Sequence, residues 1–297
     1  MVKKLDPEVK KLSKEDKITL LKDEMNLINK KFKKNVLSFG HDKITSRIPF
    51  KSDNLNAITG GGVPSGRFSV IWGAKGSTKT TQCYDLVANA QGMGKTCLWV
   101  DFERSFDKEW ATLQGVNVDE LMMAPIFDNA EEAMDTIIAL TKTKAIDLII
   151  LDSVQGLSPI GEQETKKGVE KSLTDDTMAL LARKLSQFFR MSSAKVYESD
   201  CTVVLIGQTR MDLGGFITFE KLSGGHALEH WSSMTLQVRR GAKKDAPSEK
   251  IKDADGKSED VLTGFNVVAK VNKSKVGPDE GKECFITFKY GQGIVND

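Results

Sequence analysis

Phe68-Ser69-Val70-Ile71-Trp72-Gly73-Ala74-Lys75-Gly76-Ser77-Thr78-Lys79-Thr80, residues 68–80, decides how this chain folds. A short apolar run, Phe68–Trp72, leads into a glycine-bearing turn, and Lys79–Gln91 follows at helical length. Strand, glycine turn and helix in that order make a phosphate cradle. Backbone N–H groups and a helix N-terminus converge on the anion, Lys79 reaches its outer phosphates, and the Thr80 hydroxyl ligates Mg2+. The cradle comprises Gly73, Ala74, Lys75, Gly76, Ser77, Thr78, Lys79 and Thr80; the plain alternative is an ordinary strand-to-helix turn. One position departs from the pattern, because Thr78 stands where glycine normally precedes the lysine. If that position needs φ > 0, a β-branched residue there costs roughly 1–2 kcal/mol.

Outward from the cradle, strands and helices alternate. Thr96–Asp101 and Leu121–Ile126 read as strands, Asp107–Gln114 and Ala130–Lys142 as helices. Asp147–Asp152, containing Leu-Ile-Ile-Leu, reads as a strand buried on both faces. A helix over about Thr174–Met191 precedes the strand Thr202–Gly207. The alternation implies crossover connections and a mainly parallel α/β sheet. After Trp231 only strands remain, Met234–Arg240, Phe265–Lys273 and Cys284–Tyr290, expected as antiparallel additions to the sheet edge. Ala242–Val261, rich in lysine and acids, is expected to be a mobile loop. Gly92-Met93-Gly94-Lys95-Thr96 also contains Gly-Lys-Thr, but it precedes a strand and reads as a helix-to-strand turn.

Asp152, ending its buried strand, is placed to ligate the same magnesium ion as Thr80. Nucleotide hydrolysis also needs a group that orients or deprotonates water. Val100-Asp101-Phe102-Glu103 ends the strand after the cradle's helix, and either Asp101 or Glu103 could serve by position; surface acids opening a loop would look the same.

The 297 residues suit one large α/β core with a small appendage, and 39% hydrophobic with 28% charged residues is ordinary for a soluble protein. No apolar run is long enough to span a membrane, and the lysine-bearing N-terminus lacks the apolar stretch of a secretory signal. The four widely spaced cysteines read as reduced core residues of a cytoplasmic protein. A net charge of only +2 means that any nucleic-acid contact must come from local loops. Residues 13–34 read as a helix opened by Ser13 and Asp16, with an apolar stripe of Ile18, Leu21, Met25, Ile28 and Phe32. That stripe packs either on its own domain or on a neighbouring protomer. The chain is divided as 1–54, N-terminal helix and polymerisation or linker segment, and 55–297, core.

From about Leu55 to Ile294 the core resembles the bacterial RecA recombinase family. The matching blocks, in family order, are GGGVPSGR (60–67), the cradle with the following Thr81, GKTCLWVDFE (94–103), IDLIILDSV (146–154), LIGQTRM (205–211), SGGHAL (223–228) and KVNKSK (270–275). The resemblance implies a RecA-like P-loop NTPase core that binds ATP with Mg2+. It selects Glu103 over Asp101 as the group activating water, and it places Asp107 and Trp110 against adenine. Gln208 corresponds to a glutamine sensing the γ-phosphate at the mouth of a DNA-binding loop. Lys273 and Lys275 correspond to a lysine pair that reaches into the adjacent protomer's ATP.

The same resemblance implies two DNA-binding loops, about 158–176 and 209–225. It makes Met178, Arg183, Ser186, Arg190, Arg210, Met211, Leu213, Gly224 and Gly225 the expected DNA contacts. Arg183 and Arg190 lie seven apart and so share a helix face. In the second loop Arg210 and Lys221 are offset by Asp212 and Glu220, so DNA contact is not evident from charge. The implied partners are single-stranded DNA, homologous duplex DNA and further copies of the chain, assembled head to tail. A single-strand-binding protein or loader is a further partner that the resemblance allows. The sequence departs from the family at Thr78 and in ending at Asp297, where bacterial members continue into a C-terminal lobe. The chain is then either cut short or a naturally shorter, bacteriophage-type member. Two other readings stay open: a filament or scaffold that binds nucleotide with little hydrolysis, and a RecA-like hexameric motor.

Overall fold

In a computed structural model of the protein the described residues are 12–33, 35–40, 45–124, 126–164, 180–212, 219–223, 226–252, 258–277 and 279–295. They fall into two units, Met1–Ile44 and Thr45–Asp297; the sequence reading drew its line after residue 54. In the first unit, helix α1 (Lys14–Phe32) starts at a capping box. The Ser13 hydroxyl accepts from the Asp16 N–H at 3.1 Å, and the Asp16 carboxylate accepts from the Ser13 N–H at 3.3 Å. Asn29 holds the segment after the helix, its Oδ1 accepting from the N–H groups of Val36 and Leu37 at 2.7 and 2.9 Å.

The second unit begins with β1 (Arg47–Ile48), α2 (Asp53–Thr59) and β2 (Val63–Pro64), a small antiparallel ladder with one capped helix. There follow β3 (Phe68–Gly73), α3 (Lys79–Gly92), β4 (Cys97–Asp101), α4 (Lys108–Leu113), β5 (Met122–Ala124), α5 (Ala130–Thr143) and β6 (Leu148–Asp152). After a tight turn at Val154–Gly156 come α6 (Ile160–Gln163), α7 (Leu180–Ser199), β7 (Thr202–Asp212), β8 (Phe219–Leu222) and α8 (His226–Trp231). The chain closes with β9 (Met234–Arg240), β10 (Ser248–Lys252), β11 (Ser258–Leu262), β12 (Gly264–Ser274), β13 (Glu283–Lys289) and β14 (Gly293–Ile294).

The main sheet runs β14-β13-β12-β9-β3-β7-β6-β4-β5, with β8 paired to β7. Every pairing from β9 to β5 is parallel, and those among β9, β12, β13 and β14 are antiparallel. Helices cover both faces, so alternate residues of one strand enter different cores. Leu148 and Ile150 pack with Tyr84, Leu86 and Val87 of α3, whereas Ile149 and Leu151 pack with Ile137 of α5 and Phe188 of α7. Burial on two faces is why Leu148–Leu151 is a continuous apolar run. Among the described residues no helix is long and apolar enough to cross a membrane. Cys83, Cys97, Cys201 and Cys284 are outside any disulfide.

The structure corrects three expectations. Met234–Arg240 is parallel to β3, in register Ser69↔Met234 to Trp72↔Gln237, and not an antiparallel addition. Helix α8 carries the chain back along the sheet, and the Ser233 N–H joins the Phe68 carbonyl at 2.7 Å, so β9 restarts beside the beginning of β3. The expected loop at Ala242–Val261 contains an antiparallel ribbon, β10 with β11. A lysine-bearing strand faces an acidic one there, Lys250 opposite Asp260, and opposite charges across a ladder stabilise it. Finally, α7 continues past Met191 to Ser199. Its serines do not end it, because the Ser192 hydroxyl donates to the Phe188 carbonyl at 2.6 Å within the helix and Val196 is buried.

Candidate functional site

The parallel register brings the site together. Gly73, at the end of β3, lies beside Gln208 of β7, and Asp101, at the end of β4, lies beside Asp152 of β6. Gly73, Asp101 and Asp152 end their strands and Gln208 ends the parallel-paired part of β7, so all four lie on the edge at which open α/β sheets bind ligands. Gly73 has to be glycine: a Cβ there would stand 2.0 Å from the Val238 carbonyl oxygen of β9.

Within the cradle, the Ala74 carbonyl accepts from the Ser77 hydroxyl and from Lys79 Nζ, each at 2.8 Å. Burial pulls the Lys79 ammonium below the ordinary lysine range, against the carboxylates of Asp152 and Glu103, which hold it up. The Thr80 hydroxyl donates to Asp152 Oδ2 at 3.2 Å. Burial pushes the Asp152 carboxyl up to about 7, helped by the nearby Glu103 charge. Two hard oxygen donors side by side, the Thr80 hydroxyl and the Asp152 carboxyl group, suit Mg2+. Thr80 and Asp152 would hold the ion.

Thr78 occupies the left-handed region, φ 72° and ψ 12°, so the strain expected for a β-branched residue is present. Its compensation was not visible in the motif. Gln82, fully buried one turn on, donates from Nε2 to the Thr78 hydroxyl at 3.0 Å. Thr78→Gly should therefore stabilise the protein more in a Gln82→Leu background than alone, by about 1 kcal/mol, the worth of one such hydrogen bond. Urea unfolding of the four proteins of that cycle measures it.

The carboxylates of Asp101 and Glu103, equivalent by position in the sequence, differ in their surroundings. Asp101 is buried and spent on the backbone, accepting from the N–H groups of Ser105 and Phe106 at 3.2 and 2.9 Å. Glu103 is exposed, and its Oε1 accepts from the Ser153 hydroxyl at 2.5 Å and from Gln208 Nε2 at 2.8 Å. The Asp152–Ser153 peptide is cis.

A cleft of about 290 Å3 opens beyond the cradle, lined by Gly76–Thr81, Arg240, Phe265, Phe288 and Tyr290. Arg240 donates from Nε to the Gly76 carbonyl at 2.9 Å, with its guanidinium 4.0 Å over the Phe265 ring. Asp107 and Trp110 do not line this cleft. Asp107 caps α4 through the Trp110 N–H at 2.8 Å, and the Trp110 indole N–H donates to the Thr81 hydroxyl at 3.2 Å. The aromatic side chains lining the cleft are Phe265, Phe288 and Tyr290. Tyr290-Gly291-Gln292-Gly293 at the end of the chain was the available sequence signal, a ring followed by a glycine turn.

Lys273 and Lys275 lie elsewhere. Both donate to carbonyls at the C-terminus of α8, Lys273 to Glu229 and His230 and Lys275 to His230 at 2.8 Å. They cap the negative end of that helix. Burial, with the neighbouring Lys275 charge, lowers the affinity of Lys273 for its proton. Among the described residues neither is hydrogen-bonded to its own cradle.

Arg183, Ser186 and Arg190 share the wall of a groove of about 660 Å3 with Gln187 and His226. Arg210 is exposed and stands opposite Lys221 in the ladder of β7 and β8, which forms the root of the second loop. The Met211 backbone continues that ladder opposite Glu220. Of the first loop, Ser158–Glu164 is described and includes α6; Met178, Leu213, Gly224 and Gly225 lie outside the described residues. Gln155, which the motifs did not single out, accepts from the Gln208 N–H at 3.3 Å and donates to the Ser223 carbonyl at 3.1 Å.

The family model of the RecA N-terminal domain matches residues 19–295. The chain is 36% identical over 246 residues to Protein RecA of Haemophilus ducreyi, covering 82% of this chain and 61% of that protein. It is 32% identical over 289 residues to Protein RecA of Colwellia psychrerythraea, covering 95% of this chain and 78% of the relative. With Protein RecA of Mannheimia haemolytica it shares 33% identity over 292 residues, 97% of this chain and 74% of the relative. The match thus spans between about three fifths and four fifths of these relatives' lengths. The strand order, the phosphate cradle and these likenesses agree: the chain belongs to the RecA family.

Proposed function

We propose that the chain is an ATP-dependent recombinase of DNA recombination and repair, polymerising head to tail on single-stranded DNA and pairing that strand with a homologous duplex. One observation carries the reading. The 2.8 Å hydrogen bond from Gln208 to Glu103 joins a carboxylate beside the phosphate cradle to the strand that enters a DNA loop. Magnesium, when bound, neutralises phosphate charge. Glu103 activates water through Oε2, since Ser153 and Gln208 both bond its Oε1. A γ-phosphate beside Glu103 competes for the Gln208 amide and so biases the end of β7. Lys273 and Lys275 supply positive charge to the neighbouring protomer's nucleotide, which makes turnover depend on assembly. Arg183, Ser186 and Arg190 line a path for DNA, and Arg210 beside Lys221 favours an anion at the root of the second loop. The protein works in the cytoplasm.

Incubating the protein with ATP, single-stranded DNA and a labelled duplex tests the reading. Joint molecules should form with a homologous duplex and not with an unrelated one. Closed rings under the electron microscope without joint molecules would instead indicate a motor; filaments that release no phosphate would indicate a scaffold.

A further inference from the structure

We infer that Gln155 is a positioning residue that ties the roots of the two DNA loops to each other and to the ATP site, an inference that rests on the function proposed above. Gln155 sits in the turn Val154–Gly156, directly after the strand that ends in Asp152 and directly before the first loop. Its side-chain amide makes two different bonds. Oε1 accepts from the Gln208 N–H at 3.3 Å, and Nε2 donates to the Ser223 carbonyl at 3.1 Å. Gln208 leads into the second loop and Ser223 leads out of it, and the Ser223 N–H donates to the Gln208 carbonyl at 2.8 Å. One side chain from the first loop's root therefore completes a closed ring of hydrogen bonds across the second loop's root.

The turn is also fixed from the other side. The Ser153 hydroxyl holds Glu103 Oε1 at 2.5 Å, and the Asp152 carbonyl accepts from the Phe102 N–H at 2.6 Å. A Cβ on Gly156 would lie 2.7 Å from Phe102 Cβ, so only glycine lets the turn rest on the segment that carries Glu103. A displacement of Glu103 or Gln208 is then passed to the turn, which leads into the first loop and is bonded across the root of the second. Gln208 alone reaches only the second loop, and Gln155 adds the first. Gln155 is half-buried and reaches the protein through its terminal amide, so a side chain of equal length without that amide keeps the shape and loses the connection.

The test compares Gln155→Met, which keeps the volume and removes both bonds, with Gln155→Glu, which keeps the acceptor for Gln208 and removes the donor to Ser223. Fluorescence anisotropy of labelled single-stranded DNA is read with ATP and with ADP for both variants and the wild type, beside the affinity for a fluorescent nucleotide. The wild type should bind DNA more tightly with ATP. Gln155→Met should reduce that ATP-to-ADP preference by about tenfold, the loss expected for two hydrogen bonds, with nucleotide affinity changed less than about twofold; Gln155→Glu should fall between them. An unchanged preference in both variants overturns the role of Gln155. Equal loss of preference and of nucleotide affinity overturns it too, because the residue would then only support the fold. A wild type without any ATP preference overturns the proposed function itself.

Discussion

Glu103→Gln is expected to slow phosphate release by about 10²–10⁴-fold while ATP-dependent binding of single-stranded DNA persists. The substitution keeps the shape and leaves Oε1 able to accept from Ser153 and Gln208, the two bonds that connect Glu103 to the loop roots. What it removes is the carboxylate that takes a proton from water. Asp101 cannot replace it, because that side chain is buried and committed to the backbone of Ser105 and Phe106. Phosphate release measured beside DNA anisotropy separates the outcomes. Loss of both would give Glu103 a structural role, and retention of turnover would point to another base.

The second large effect concerns Lys273 and Lys275. The double variant Lys273→Ala/Lys275→Ala should lose DNA-stimulated turnover almost completely, although neither side chain contacts its own cradle among the described residues. If the lysines act across a head-to-tail interface, an equal mixture of this variant with Glu103→Gln should regain activity. Random assembly gives about a quarter of interfaces an intact Glu103 facing intact lysines, because a heterologous contact takes one surface from each protomer. Activity well above the sum of the two inactive proteins supports charge supplied in trans. No recovery would mean that the pair serves only to cap α8, and each variant alone should then show lowered thermal stability.

How much was legible in the sequence differs between elements for physical reasons. The cradle was readable because strand, glycine turn and helix occupy consecutive residues, and the capping box of Ser13 and Asp16 because its two bonds are local. The direction of Met234–Arg240 was not, since a strand's orientation is set by the chain leading into it, here a six-residue helix within a glycine-rich block. The ribbon of Ser248–Lys252 with Ser258–Leu262 escaped a search for apolar alternation because opposite charges stabilise it. In the site, Asp101 and Glu103 were indistinguishable by spacing, and only the hydrogen bonds formed after folding separate them. Gln82 compensates Thr78 from four residues away, a contact that no phosphate-loop pattern includes. Trp110 was readable as a ring beside the cradle's helix, whereas Phe265, Phe288 and Tyr290, far along the chain, line the cleft only because folding brings them there.

The central claim is that nucleotide turnover and DNA binding are coupled in one site. Phosphate release from ATP, with and without single-stranded DNA and beside a Lys79→Ala control, tests it most directly. Turnover that rises strongly with DNA and vanishes in the control is the predicted result, and it would show that the strained Thr78 supports catalysis. DNA binding that requires ATP while no phosphate appears would contradict the account and leave a filament that binds nucleotide without hydrolysing it.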